Sequence, residues 1–477
     1  MISCTTFLLP QTETFMSSKQ QRPNILFVLS DQQRWDTLGC YGQPLEITPN
    51  LDHMAREGVR FECAFTPQPV CGPARACLQT GRYATETGCF TNLRGLPGSE
   101  RTIAHWLSEA GYETAYIGKW HLASRWDERD LADKPVPPDR RGGYENFWLA
   151  AEALEFTSHG YDGFLWDAAM KRVEFKGYRA DALTDFALGY LQQRARDVPD
   201  RTFFLFLSYI EPHQQNDRGH FEGPLGSKER FVKFVAPADL LNADGDWRQE
   251  FPDYLGCCWS LDRNVGRLRA ELKRLAIEEN TLLIYTSDHG CHFRTRNSEY
   301  KRSCHEASIR VPLILCGPGF RGGKTISELV SLLDLPPTLL AAGGIEKSAS
   351  MRGRPLQGLV SNAAGEWPQE VFIQISEDHI GRAIRTKRWK YSIWVPRDQA
   401  YRSSVERSGS DCYVEQCLYD LQSDPHEQRN LVTDPRYCEV RHELAEALKR
   451  RMLAVGEPEP RIEPCTGGQP NDRIDVA

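Results

Sequence analysis

Three things are missing from this sequence: a long apolar run, an excess of positive charge, and any paired cysteine spacing. No stretch approaches the ~20 apolar residues of a spanning helix, so no membrane passage is expected. Lysine and arginine number 58 against 65 aspartates and glutamates, for a net charge of −7. No global basic field exists to hold nucleic acid, and an anionic substrate must be met by a local cluster of cations. Cysteines are numerous, but their count of 15 is odd, Cys257 and Cys258 are adjacent, and no Cys-x-x-Cys pair points to a zinc or redox motif. Free thiols in a reducing compartment fit this usage better than a disulfide framework. The segment Met1 to Pro10 lacks the basic start and apolar centre of a secretory leader. A cytoplasmic location is therefore favoured, and residues 1–21 are expected to be a disordered extension.

A chain of 477 residues is too long for one simple core. Asn24 to Ser30, Thr202 to Ser208 and Thr281 to Ser287 are short, continuous apolar runs, the pattern of strands buried on both faces. Tyr112 to Gly118 and Val311 to Cys316 add two more. Helices are expected over Ser99 to Ala110 with Ser99 as cap, Tyr178 to Arg194, and Leu255 to Leu275. Residues 126–148 and 214–250 read as irregular segments. After Gln369 the pattern changes to short strands with tight connections, then a helix near 438–453 and an irregular tail. The expected fold is α/β: a large mixed, mostly parallel sheet flanked by helices over residues 22–368, the catalytic part. A smaller α+β subdomain of antiparallel strands and a helix follows over 369–477.

Polar residues collect where these strands end. Asp31-Gln32, Lys119-Trp120-His121, His213 and Asp288-His289 all follow predicted strands, the edge where open parallel sheets bind ligands. Asp31, Gln32 and Asp288 offer hard oxygen donors and His289 one nitrogen, a set suited to Ca²⁺ or Mg²⁺, with Mn²⁺ open once an imidazole joins. Lys119, His121, His213 and Lys301 would ring the same edge with positive or proton-donating groups. Such a ring neutralises the oxygen charge that grows as a tetrahedral sulfate or phosphate ester is cleaved. The run Pro69 to Arg82 sets Cys71 before Pro73 and Arg75 at an expected helix start, where N–H groups favour an anion.

The Cys71-x-Pro73-x-Arg75 spacing, followed by Leu78-x-Thr80-Gly81, resembles the signature of type I sulfatases, within the alkaline-phosphatase superfamily. Gly118-Lys119-x-His121, Pro212-His213, Asp288-His289-Gly290, Lys301 ahead of Ile309-Arg310-Val311-Pro312, and Leu418 to Pro425 resemble further segments of that family in the same order. The resemblance implies an alkaline-phosphatase-like fold and a sulfuric ester hydrolase. It implies that a maturase oxidises Cys71 to formylglycine, one oxygen of which attacks sulfur while the other binds metal. It further implies that Arg75 steadies the hydrate, that Lys119 and His121 hold it, and that His213 and Lys301 meet the sulfate, with His213 as general acid. Asp31, Gln32, Asp288, His289 and the modified residue 71 are the implied ligands of a divalent metal, Ca²⁺ first and Mn²⁺ or Mg²⁺ as alternatives. Two positions depart from the commoner family pattern. Gln32 and His289 stand where many members carry Asp and Asn, a pairing that resembles choline sulfatases and phosphonate monoester hydrolases.

Specificity is expected from loops around the cleft. His292, Arg294 and Arg352 are the candidate substrate-binding residues, with Arg94, Arg125, His159 and Arg354 behind them. Their charge suits a sulfated carbohydrate or oligosaccharide with a second acidic group. A phosphonate or phosphate mono- or diesterase, and a relict protein that binds sulfated glycans, are the alternatives.

Overall fold

The computed structural model describes residues 22–124, 131–396 and 406–465, so the extension expected over 1–21 and the candidate Arg125 lie outside the described residues. Eleven strands form one mixed sheet. These are β1 (Asn24–Ser30), β2 (Val59–Phe65), β3 (Glu113–Lys119), β4 (Phe147–Ala151), β5 (Asp162–Asp167), β6 (Arg172–Lys176), β7 (Phe203–Ser208), β8 (Thr281–Ser287), β9 (Arg310–Val311), β10 (Leu313–Cys316) and β11 (Lys324–Ser331). Their order is β11-β2-β10-β8-β1-β7-β3-β4-β5-β6, with β9 paired to β2.

The centre, β8-β1-β7-β3-β4, is parallel throughout. Every residue of β1, β3, β7 and β8 is buried, because helices cover both faces. One face packs Phe27, Tyr116, Phe206 and Ile284 against the Ile103–Glu109 and Leu335–Ala342 helices. The other packs Leu26, Val28, Leu205 and Tyr285 against Arg179–Asp197 and Trp247–Arg274. The chain ends of these four strands therefore open on one edge, and the site sits there.

Local chemistry moves several boundaries from their expected places. Thr102 rather than Ser99 caps the Ile103–Glu109 helix, accepting from the Ala104 N–H while His105 accepts from the Thr102 N–H. The long helix begins at Trp247, eight residues before the expected start, and carries Pro252 inside it. The segment Val311 to Cys316 is not one strand. Pro312, which has no N–H to donate, separates β9 from β10, and both run antiparallel to their neighbours. Within the irregular stretch, β4 begins at Phe147, and β2 and β11 occupy segments that carry no clear apolar run.

A second, five-stranded sheet runs in the order β12 (Glu370–Ile375), β13 (Gly381–Thr386), β14 (Trp389–Trp394), β15 (Cys412–Asp420) and β16 (Arg461–Glu463). Its first four strands are an antiparallel meander, and the Cys438–Ala454 helix packs Leu444, Leu448 and Met452 on Ile384 and Tyr391. The expected irregular tail instead supplies β16, parallel to β15.

Candidate active site

The Cys71–Thr80 helix is buried along its whole length and begins at Cys71, so the thiol sits in the first turn at the positive end of the helix dipole, with the Gly72 N–H donating to Asn92 Oδ1 at 2.9 Å. Cys71 Sγ lies 3.0 Å from Lys301 Nζ, 3.2 Å from His289 Nε2 and 3.4 Å from Asp31 Oδ1. Burial pushes the thiol up, yet Lys301, Lys119, His289 and His121 outweigh it and hold the group well below its ordinary range. A negatively charged group is stabilised here.

Two buried carboxylates face it. Asp31 follows β1, and its Oδ2 accepts from Arg75 at 3.0 Å and from Lys119 at 2.9 Å. Burial and Cys71 push the Asp31 carboxyl up, but Lys119, His213 and Arg75 together bring it far below the carboxylate range. Asp288 follows β8. Its Oδ1 accepts from the N–H groups of Gln32 and His289, and Arg75 lies 3.3 Å from Oδ2. Arg75 thus clamps the two carboxylates, with its other nitrogen on the Lys119 carbonyl and Ser208 Oγ. The guanidinium also lies close enough to Cys71 to interact with charge at that position.

One ligand atom from each of Asp31, Cys71, Asp288 and His289 falls within 4.8 Å of the others, and all four residues are buried. The His289 ring fixes its own tautomer. Nδ1 lies 3.0 Å from the Gly290 carbonyl, which only accepts, so Nδ1 carries the proton. Nε2 is then the ring atom that faces the carboxylates, 3.6 Å from each of Asp31 and Asp288. Asp288 Oδ2 accepts no hydrogen bond although it is buried. Two carboxylates, an imidazole lone pair and an anionic sulfur are a donor set that fits a divalent cation. Gln32 lies at its margin, where Oε1 accepts from Lys301 at 3.0 Å and Nε2 donates to Gln214.

Lys119 is fully buried between Asp31 and Glu155, at 2.9 and 3.1 Å. Burial alone would discharge it, but the two carboxylates hold its ammonium well above the usual range. Two residues on, His121 adopts φ 58°, held by its N–H on the Glu152 carbonyl at 2.8 Å. Gly118 is obligatory before them: φ is +105°, and a Cβ there would meet the Ser208 carbonyl at 1.9 Å. Beyond β7, His213 donates from Nδ1 to the Gln214 carbonyl at 2.6 Å, and its Nε2 lies 2.9 Å from Lys301 Nζ. Lys301 therefore links Cys71, Gln32 and His213.

The expected substrate residues fare differently. His292 is completely buried and donates from Nε2 to the Lys301 carbonyl at 3.0 Å, which makes it a support of Lys301 rather than a substrate contact. Arg294 is half-exposed beside Asp246 and over the Tyr300 ring. Arg352 pairs with Glu86 and His159 with Asp217, neither within the Cys71 cluster. Sequence reasoning passed over Glu155 and Glu152. Glu152 accepts from the N–H groups of Leu122, Ala123 and Ser124 and so shapes the turn after His121. Their only signal was their position, Glu152 one residue and Glu155 four residues after the end of β4.

A cleft of about 410 Å³ adjoins this cluster, lined by Asn92, His121, Glu155, Phe156 and Asn216 among others. Phe156 is 56 % exposed and Leu93 52 %, an unusual pair of open apolar groups beside buried charges.

Comparison with known proteins decides what the cluster belongs to. The sulfatase family profile matches residues 23–345, and the profile of the N-sulphoglucosamine sulphohydrolase C-terminal region matches 299–453. The chain belongs to the sulfatase family. Relatives include an ulvan-active sulfatase of Formosa agariphila, 29 % identical over 91 % of this chain and 82 % of that one. An N-acetylglucosamine-6-O-sulfatase of Bacteroides thetaiotaomicron is 25 % identical over 95 % and 92 %. The solved structure of BT4656 with its substrate D-glucosamine-2-N,6-O-disulfate superposes with a TM-score of 0.73 at 23 % identity, covering 92 % of this chain and 99 % of that one. This sulfatase is accordingly a sulfuric ester hydrolase of alkaline-phosphatase-like fold, and a metal and formylglycine are general features of its family. Among the described residues no helix is long and apolar enough to cross a membrane.

Proposed function

We propose that this sulfatase removes sulfate from a sulfated carbohydrate, using a formylglycine that a maturase makes from Cys71. The observation that carries the reading is Lys301, whose ammonium touches Cys71 Sγ at 3.0 Å and His213 Nε2 at 2.9 Å at once. A sulfate oxygen beside residue 71 would meet that ammonium, and a leaving oxygen would meet the histidine. Formylglycine supplies the oxygen nucleophile that a thiol does not. Asp31, Asp288, His289 and residue 71, with Gln32 at the edge, would hold a divalent cation, Ca²⁺ first and Mn²⁺ or Mg²⁺ as alternatives, whose chemistry is Lewis-acid polarisation and orientation.

The chain's own groups then divide the work. Lys301 and Lys119 neutralise charge on the sulfuryl oxygens, in a site dry enough to make each cation count. With substrate bound, His213 protonated at both ring nitrogens gives its Nε2 proton to the departing alcohol while Nδ1 stays on the Gln214 carbonyl. His121, which reaches the group at position 71, would accept a hydroxyl proton from that group as sulfate departs. Arg75 fixes the two carboxylates in place. The adjoining cleft, with its Asn92 and Asn216 amides and open Phe156 ring, suits the hydroxyls and apolar face of a sugar. The sugar-sulfate substrates of the Formosa and Bacteroides relatives support that class.

Turnover of defined sulfated saccharides, an aryl sulfate, an aryl phosphonate and a phosphodiester tests the proposal. Release of sulfate from at least one saccharide with the highest kcat/KM is expected. Preference for a phosphorus ester, which the Gln32 and His289 pairing would suit, overturns it.

A further inference from the structure

A second cluster of soft donors lies away from the catalytic edge. Cys304 and His305 close the loop that begins at Lys301, and Cys417 comes from β15 of the second sheet. One ligand atom from each lies within 4.8 Å of the other two. All three are buried, at 1, 3 and 2 % exposure, and both cysteines are thiols rather than a bridge.

The His305 ring supplies the second, independent observation. Its Nε2 lies 3.2 Å from Tyr419 Oη, and that hydroxyl directs its single proton to Cys417 Sγ at 3.7 Å. Tyr419 therefore accepts from Nε2–H, and Nδ1 is left with its lone pair. Nδ1 is buried and has no hydrogen-bond partner. An unpaired buried acceptor is costly, on the order of 1–3 kcal/mol, and a metal bond would satisfy it, the opposite ring nitrogen being tied by a hydrogen bond as in metal-ligating histidines. Burial also keeps the ring neutral, far below the ordinary histidine range. Charge nearby favours thiolate: the Cys417 contact, opposed by burial and aided by Lys390, lowers the Cys304 thiol.

We infer that Cys304, His305 and Cys417 form a binding site for one thiophilic d¹⁰ cation, Zn²⁺ or Cu⁺, which ties the Lys301 loop to the second sheet. Two thiolates and an imidazole select such ions over Ca²⁺ or Mg²⁺, which prefer oxygen. The two thiol protons leave as the ion binds. The catalytic cluster, once oxidation replaces the Cys71 sulfur with oxygen, offers mainly oxygen and leans the other way, so the chain would sort harder and softer cations between two sites. Cys304 is three residues past Lys301, and the bond across to β15 would limit how far that ammonium wanders from Cys71.

Elemental analysis of the full chain carrying Cys71→Ala, which removes the catalytic thiol, tests this. Protein is loaded with Zn²⁺ or, under reducing anaerobic conditions, with Cu⁺, then desalted through a weak chelator. About one equivalent of one of these ions per chain is expected to remain, and Cys417→Ser in the same background should retain at least tenfold less. Equal retention in both chains, no retention in the parent, or a Cys304–Cys417 disulfide in non-reducing peptide mass spectrometry overturns the inference. Should Cys417→Ser not fold, X-ray absorption on the loaded parent decides: sulfur near ~2.3 Å with nitrogen near ~2.0 Å supports the site, and an oxygen-only shell refutes it.

Discussion

Lys301 Nζ lies 2.9 Å from His213 Nε2 and 3.0 Å from Cys71 Sγ, so one ammonium fixes both the imidazole nitrogen that would serve the leaving oxygen and the position of the nucleophile. A histidine in this arrangement matters in proportion to how badly the leaving oxygen needs protonation. His213→Ala should therefore cost roughly 10²–10⁴-fold in kcat/KM on a saccharide sulfate, whose alcohol leaves poorly. The loss on an aryl sulfate with an acidic phenol should be at least tenfold smaller. Equal losses on both would make His213 a positioning residue only.

In the proposed mechanism position 71 carries the nucleophile only after oxidation. Cys71→Ala is expected to lower sulfate release by roughly 10⁴-fold or more. In active protein, peptide mass spectrometry should show the thiol at residue 71 replaced by an aldehyde or its hydrate. Full activity in protein whose Cys71 remains a thiol would remove formylglycine from the account.

Much of this site was legible because parallel sheets place chemistry at strand ends. Asp31, Lys119, His213 and Asp288 each follow a buried apolar run, and the structure brings all four to one edge. The partners that tune them were harder to read. Glu155 touches Lys119 from a helical turn after β4, 36 residues away, a contact that no local pattern encodes. Arg75 was legible as a functional group but not in its partners, since its reach to Asp288 depends on how the Cys71–Thr80 helix docks on the sheet. Likewise β2 and β11 escaped notice because sheet neighbours, not their own composition, make them strands. Loop residues such as His292 and Arg352 were hard to place for the opposite reason, the one being fully buried and the other paired with Glu86. Charge in a loop says nothing about whether a fold has already paired or buried it.

Removing the metal should abolish activity and leave the fold largely intact. The cation would sit among Asp31, Asp288 and His289, which Arg75 and Lys119 already hold by hydrogen bonds and ion pairs. Dialysis against a strong chelator is expected to lower turnover to background, with little change in far-ultraviolet circular dichroism. Restoration by Ca²⁺, Mn²⁺ or Mg²⁺, added one at a time, identifies the working ion. Undiminished turnover in protein shown to be metal-free by elemental analysis would rule the role out.

Acid should weaken the fold through His292 before it titrates most carboxylates. Burial lowers this imidazole to about 4 from an ordinary 6.5, because the ring sits at zero exposure and donates only to the Lys301 carbonyl. Below pH 6.5 the unfolded chain binds a proton at this residue and the folded chain does not, so stability falls as pH drops until the folded ring also titrates near pH 4. The window corresponds to about 3 kcal/mol at most. Glu155 acts in the same direction further down. Burial pushes it up, but Lys119, His121 and His213 bring it to about 2, so its contribution is lost between pH 4.5 and that value. Burial raises Asp262 and Asp334 to about 6, so they add stability as pH falls through the same window. Urea titrations from pH 7 to 4 should show the His292 loss as the difference between the wild-type chain and a non-titrating variant. His292→Asn, which keeps a donor for the carbonyl and cannot titrate, should remove that loss between pH 6.5 and 4. An unchanged slope in a folded His292→Asn protein would assign the acid sensitivity to other groups.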